Sequence, residues 1–301
     1  MDLGTNTFHL LIAQGNIPNY QEIVHLHEAV KLGEGGINKG IIQPVAFDRG
    51  IAAMQKFKHI IEGNGISEVK AIATSALRNA SNGSEFIDQV KNNTGITIEI
   101  IDGDSEANYI YQGIRASGCL NSKTSLIMDI GGVSVEFILS NDRQIFWKQS
   151  FEIGAARLMD KFNQVDPIPQ VSINELNSYL DNALTDLFNA TKNTDIYKLI
   201  GSSGAFETFA ELIEINKGNE FDLAYFKAHE FNTNELISIT DVLISSNHQE
   251  RAANKGIISV RVDMIVVASL ITRYVMQKLA INKVCMSTYS LKEGILVSII
   301  G

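Results

Sequence analysis

Apolar positions along the first 117 residues switch repeatedly between a period of two and a period near 3.6. Alternation marks strands in "FHLLIA", "EIVHLHEA", "EVKAIAT" and "ITIEIID". Helical spacing covers 44–62, with Pro44 suited to a first turn, and about 84–92. A further helix begins near Gly103 and runs through "SEANYIYQGIRAS", after which "SGCLNSK" breaks the pattern. A second series follows: strands over 124–130, 134–140 and 145–151, a short helix near 154–163, and a loop in "QVDPIPQ". One helix then spans 171–191, and "YKLIGSSGAFETFAEL" reads as strand, loop and helix. Helices near 233–246 and 259–280 come next, the latter holding the core series "MIVVASLITRYVM". A strand over 282–286 and a last helix from about Tyr289 end the series. Interspersed strands and helices, with hairpins among them, predict an α/β chain with mixed sheets. The expected lobes are 1–117 and 118–288, with the helix 289–301 packing back on the first.

Two stretches repeat. "DLGTNTFHLLIA" from Asp2 and "DIGGVSVEFILS" from Asp129 share an acid, an aliphatic, a Gly, three small or turn-forming positions, and an alternating strand. Each describes a strand end, a tight turn and a returning strand. One copy per half predicts a pseudo-duplicated chain with a ligand cleft between the halves. The turns Gly4, Thr5, Asn6, Thr7 and Gly131, Gly132, Val133, Ser134 present backbone N–H groups and hydroxyls, the donors an anion needs. A third such turn, Gly201, Ser202, Ser203 and Gly204, precedes a helix whose first N–H groups and dipole add to the attraction. Asp2 and Asp129 stand at the mouths of the two hairpins, placed to face each other across a hydrated Mg2+, an ion that uses few carboxylates and keeps its waters. Glu136 lies seven residues beyond Asp129 on the returning strand. The same three acids equally suit plain turn residues and, for Glu136, a solvent-facing strand position. Val133 aligns with Asn6. A left-handed backbone costs an ordinary L-residue about 1–2 kcal/mol, so Val133 is expected extended, with Gly131 and Gly132 making the close approach.

Composition narrows the partners. A chain of 301 residues, 45% hydrophobic, can bury a substantial core. Its net charge of -9 argues against non-specific binding to nucleic acid or an anionic membrane. A polyanionic substrate would then need local Arg or Lys, backbone N–H groups or a metal ion. Cys119 and Cys285 lack a CxxC or His companion, so neither a zinc site nor a disulfide framework is expected, and a cytoplasmic location is. No signal-peptide pattern and no membrane-length apolar run are visible. No lysine stands in a GxxxxGK[ST] arrangement.

The segments "DLGTNTFHLL", "ATSALRNASN", "IDGDSEANYIYQGI", "DIGGVSVEF", "IGSSGAFETFAEL" and "STYSLKEGIL" together resemble, in order, the signatures of the exopolyphosphatase / guanosine pentaphosphate phosphohydrolase (Ppx/GppA) family. The resemblance implies two actin/Hsp70/sugar-kinase-like (ribonuclease H-like) lobes around an interdomain cleft. It implies Mg2+ or another divalent cation as cofactor, and inorganic polyphosphate or guanosine polyphosphate as substrate. A homodimer is expected on the same ground. Carried over by position, Glu106 matches the glutamate that activates water, and Arg78 matches an arginine that contacts phosphate. Asp129 and Glu136 match the acidic pair near the metal, with Asp2 facing them. The three glycine turns match the phosphate-binding turns, and Lys292 stands where many members carry arginine, keeping the charge without the bidentate fork.

Ser105, Val133 and Ala205 depart from the usual pattern, and Met1 directly precedes Asp2 where relatives carry several strand residues. Arg251, Lys255 and Arg261 read as a solvated basic cluster. His25 and His27 share a strand face, and like His9 they read as sheet packing. The leading expectation is hydrolysis of a terminal phosphoanhydride by in-line attack of water. The alternatives are (p)ppGpp hydrolysis, a non-catalytic phosphate or nucleotide sensor, and a phosphotransferase of the same fold.

Overall fold

The computed structural model of the chain describes residues 1–16, 20–66 and 68–300; Gly301, at the end of the expected terminal helix, lies outside them. The first half runs β1 (Asp2–Leu3), β2 (Phe8–Gln14), β3 (Gln21–Glu28), α1 (Pro44–Gly63), β4 (Ala71–Ala73), α2 (Ser75–Arg78), α3 (Gly83–Thr94), β5 (Ile98–Ile100) and α4 (Gly103–Ser117). The second begins β6 (Ser125–Ile130), β7 (Val135–Ser140), β8 (Ile145–Phe151), α5 (Ala155–Phe162), α6 (Gln170–Ala183) and α7 (Thr185–Thr191). It continues β9 (Leu199–Ser202), α8 (Gly204–Asn216), β10 (Ala228–Glu230), α9 (Thr233–Ser245), α10 (His248–Ala253), α11 (Met264–Lys278), β11 (Val284–Ser287) and α12 (Leu291–Ile300).

The sheets run β3-β2-β1-β4-β5 and β10-β11-β9-β6-β7-β8. In each, an antiparallel meander (β1–β3, β6–β8) joins a parallel block (β1, β4, β5; β6, β9, β11) through its first strand. The repeat seen in two short segments therefore extends through five strands of each lobe. Its register is conserved within the chain: Asp2 pairs with His9 as Asp129 pairs with Glu136. The turns match as well, since the Gly4 N–H donates to the Thr7 carbonyl at 3.2 Å and the Gly131 N–H to Ser134 at 3.0 Å.

Period-two alternation decides which face each side chain reaches. Leu3, Phe8 and Leu10 face α1 and α3, where Phe86 meets Phe8 and Phe47 edge-on at 6.3 and 5.1 Å. Leu126, Met128, Val135 and Phe137 face a core shared with α8, α9 and α11. Ile127, Ile138 and Ile200 point the other way, with Ile72 of the first sheet, into a third cluster built on α4 and α12. Asp2 and His9, and Asp129 and Glu136, lie in phase with that third set. The acids of both lobes therefore look toward α4 and α12.

Those two helices cross at glycine. A Cβ on Gly113 would stand 2.0 Å from the Ser290 carbonyl oxygen, and one on Gly294 would stand 1.8 Å from that of Tyr109. Only backbone fits at the crossing.

Some elements differ from the sequence reading. The helix expected over 171–191 breaks at Leu184, where the Thr185 hydroxyl donates to the Asn182 carbonyl at 2.8 Å. The short α2, α10 and β10 were not expected, being too brief to show a period. Arg251 is no surface residue: it is 2% exposed, with Nε on the Val262 carbonyl at 2.6 Å and Nη2 on Asp166 at 2.8 Å. Lys255 is exposed as expected, whereas Arg261 turns into the interlobe cleft. Among the described residues no helix is long and apolar enough to cross a membrane.

The crossing yields a stability test. Gly294→Ala should destabilise the fold by about 3 kcal/mol, because backbone atoms must move to admit the methyl group. A lowered urea midpoint at unchanged slope is expected; a native midpoint would show that the helices separate without cost.

Candidate active site

A cavity of about 190 Å³ lies between the lobes. Asp2, Gly4, Thr5, Asn6, Thr7, Glu106, Asp129, Gly131, Gly132, Ser134, Glu136, Ser203, Gly204 and Lys292 line it, as the sequence-based expectation requires of cleft residues. The two hairpin turns meet there. A Cβ on Gly132 would stand 2.5 Å from Asn6 Nδ2 and 2.9 Å from Thr5 Cβ, so this position closes the cleft only as glycine. Ser134 Oγ lies 3.3 Å from Ser75 Oγ and joins the lobes a second time.

Four expected residues stand behind the wall. Val133 keeps a negative φ, as expected, but its side chain is 1% exposed and turns away into a small secondary cavity with Leu32, Gly33 and Ile37. It fills apolar space in the turn's rear, and its carbonyl accepts from the Gly154 N–H at 2.7 Å. Gly201 serves packing, since a Cβ there would lie 2.2 Å from the Phe206 ring. Ser202 is fully buried and its hydroxyl donates to Asp129 Oδ2. Arg78 donates through Nη1 to the Ile101 carbonyl at 2.7 Å and stands 3.5 Å from Glu106 Oε2. Its guanidinium is committed to that carboxylate and to backbone instead of lining the cavity.

The left-handed residue of the three turns is Ser203, with φ 67° and ψ 179°, a conformation costing about 1–3 kcal/mol outside glycine. Its hydroxyl donates to the Ile130 carbonyl at 2.9 Å, which anchors the turn on β6 and aims the start of α8 into the cleft. The first turns of α4, α8 and α12 thus carry Glu106, Gly204 and Lys292 to one place, and their dipoles add positive potential there.

Against that potential stand three buried acids, Glu106, Asp129 and Glu136, and the half-buried Asp2. Burial, and then the charge of Glu136, holds Glu106 well above the usual carboxylate range. Burial lifts Asp2 to about 7, and burial with the Asp129 charge lifts Glu136 to about 7. Asp129 is raised by burial despite the Ser202 hydroxyl. Asp2 Oδ1 and Glu106 Oε2 are buried without a hydrogen-bond partner. Glu136 is 2% exposed, which excludes a solvent-facing role.

Pattern reading missed several residues at the site. Ser150, directly opposite Glu136 in the β7–β8 register, donates to its Oε1 at 2.6 Å; pairing the two strands by alternation would have found it. Thr74 and Ser75 border the cavity from a helix too short to be legible. Glu207 and Arg261 line the cavity as an ion pair at 2.9 Å. Glu207 follows Ser203 by one helical turn, a spacing that puts both on one face. His9 also lines the cavity, with Nδ1 buried and unpartnered, and burial with the Lys292 charge holds it well below its ordinary value. His25 and His27 pack 6.4 and 6.3 Å from the His9 ring and are exposed.

Two mixed α/β lobes, each opening with an acid–turn hairpin on a shared cleft, define the actin/Hsp70/sugar-kinase class of fold. Within that class the chain belongs to the Ppx/GppA phosphatase family, whose model matches residues 11–301. The crystal structure of an exopolyphosphatase from Cytophaga hutchinsonii superposes with a TM-score of 0.96 at 38% identity, covering 99% of this chain and 96% of that one. Exopolyphosphatase 1 of Mycobacterium leprae is 25% identical over 299 residues, 99% of this chain and 87% of its own. A bifunctional 3-dehydroquinate synthase/phosphatase of Fusobacterium nucleatum is 31% identical over 290 residues, 92% of this chain but 42% of its own length.

The acid cluster has a pH signature. Folded Asp2 and Glu136 hold protons up to about pH 7, whereas unfolded carboxyl groups release them near pH 4. Between those limits the folded state binds more protons, so their contribution to stability falls as pH rises. Without added divalent cation, Asp2→Asn/Glu136→Gln should gain in unfolding midpoint over the native protein progressively from about pH 4 to 7. A midpoint difference independent of pH would show that both acids ionise normally.

Proposed function

We propose that the chain is a hydrolase of exopolyphosphatase type, releasing terminal orthophosphate from inorganic polyphosphate. The observation that carries this reading is the placement of Glu106, a buried carboxylate with Oε2 free of hydrogen bonds and Arg78 3.5 Å away, opposite glycine- and hydroxyl-rich turns in one cleft. Phosphoryl transfer asks for positioning, charge neutralisation and an oriented water more than for covalent help. The turns at Gly4–Thr7, at Gly131, Gly132 and Ser134, and at Ser203–Gly204 would hold the terminal phosphates by N–H and hydroxyl donors. Glu106 would orient water and take its proton as the water oxygen attacks phosphorus. The bond from phosphorus to the bridging oxygen breaks, and the shortened chain leaves with that oxygen. Arg78 acts here as a positioning residue for Glu106.

The donor set fits a divalent cation. Hard carboxylate oxygens line the cavity, Asp2 Oδ1 is buried without a hydrogen bond, and burial first of all raises the proton affinity of Asp2 and Glu136. Among the described residues no three acidic, His or Cys side chains are placed to hold a metal ion together. An ion drawn to Asp129, Glu136 and Asp2 would therefore be held partly through its own waters. Mg2+ bound there would neutralise phosphate and carboxylate charge together.

A second reading, 5'-phosphate hydrolysis of guanosine polyphosphates, draws support from the apolar part of the wall. Val260, Met264, Ile265 and Ala268 offer contacts that inorganic polyphosphate does not use. Val133, whose departure from the family pattern would favour a non-catalytic sensor, faces away from the cleft.

Orthophosphate release from polyphosphate and from pppGpp, with Mg2+, tests the reading. Glu106→Gln should lower kcat by about a hundredfold or more, with KM little changed. Equal turnover by both proteins would remove Glu106 from the mechanism, and saturable binding without release would favour the sensor.

A further inference from the structure

Each basic side chain at the cleft is already paired with an acid. Arg78 stands 3.5 Å from Glu106, Lys292 3.0 Å from Glu293, and Arg261 2.9 Å from Glu207. The three acids differ in place. Glu106 belongs to the carboxylate cluster, and Glu293 lies off the cavity, accepting from the Ser290 N–H at 2.8 Å. Glu207 lines the cavity itself, 19% exposed, at the start of α8, the end that should attract phosphate.

We propose that Glu207 is a specificity-determining residue that disfavours long, highly charged polyphosphate relative to short or organically capped phosphoanhydrides. The inference rests on the phosphoanhydride reading of the cleft and deepens it. Arg261 is held firmly: its guanidinium occupies the space over Gly204, where a Cβ would lie 2.2 Å from it, and Nη1 contacts Thr208 Oγ1 at 3.2 Å. Set there alone, it would extend the positive field of the α8 N-terminus and draw a polyanion along the cleft. Glu207 cancels that charge, and Arg261 and Lys292 together keep it ionised against burial. Every further phosphate reaching this end meets a fixed carboxylate in a partly desolvated site, where repulsion is screened less than in bulk water. A neutral group with hydroxyl or N–H donors meets an acceptor instead, beside the apolar wall of Met264 and Ile265. An acid in a first helical turn is common because of the dipole. What sets Glu207 apart is a partner from outside its own helix, with both side chains lining the cavity.

The test compares native, Glu207→Gln and Glu207→Asp proteins on long-chain polyphosphate and tripolyphosphate with Mg2+. Glu207→Gln should raise the long-chain to tripolyphosphate ratio of kcat/KM about tenfold, through KM. Glu207→Asp should keep the native ratio. A Glu207→Gln ratio equal to the native one, with kcat lowered on both substrates alike, would reduce Glu207 to a structural anchor and overturn the proposal. If the native protein hydrolyses neither compound, the hydrolase reading fails separately. Calorimetric binding of the same two anions then decides on Glu207: a tenfold shift in the Kd ratio supports it, and none overturns it.

Discussion

The cleft is organised around an electrostatic conflict: four carboxylates, three of them buried and Asp2 half-buried, face the place where an anion would bind. Asp2, Glu106, Asp129 and Glu136 are all held above their ordinary proton affinity, with burial as the first cause. Leaving such groups ionised and unpaired is costly. The chain offsets this without loose cations. Three helix N-termini point inward, Ser202 and Ser150 donate to Asp129 and Glu136, and Arg78 stands beside Glu106. Asp2 Oδ1 and Glu106 Oε2, left without a hydrogen bond, are the atoms a divalent ion and a polarised water would use.

The internal duplication explains how one chain assembles this arrangement. Each copy delivers an acid, a glycine turn and a returning strand in the same register. The copies have diverged at one register position. His9, opposite Asp2, is held neutral, whereas Glu136, opposite Asp129, is acidic. The negative charge is therefore concentrated on the second lobe, beside α4 and Glu106. The turns have diverged too: Asn6 keeps a polar reach, with Nδ2 on Met264 Sδ at 3.2 Å, while Val133 turns inward to pack.

Much of this was legible because it depends on local rules. Strand alternation, the first-turn Pro44 and the glycine spacing of each turn are short-range signals, and the aligned hairpins foreshadowed a common cleft. The missed features need a second element for their meaning. Gly201 reads as a phosphate glycine until the Phe206 ring is seen against it, and Arg251 reads as surface until Asp166 is found beside it. Arg78 matches a family position yet faces backbone and Glu106 instead of the cavity. Ser150 carries no motif, and Glu207 lies in the third signature turn's segment with no role assigned to it; strand register and helix phase bring them to the site.

The two sides of the cleft are built to different strengths. On one side α4 and α12 cross in backbone contact at Gly113 and Gly294, surrounded by buried apolar residues from both sheets. On the other, the lobes touch through Val133, which lines a small cavity with Leu32, Gly33 and Ile37, and through exposed polar pairs: Asn38 with Asp160 at 2.7 Å and with the Arg157 carbonyl at 3.2 Å, and Asn79 with Glu152 at 3.1 Å. Exposed polar contacts contribute little to stability, whereas separating a packed crossing exposes apolar surface and opens voids.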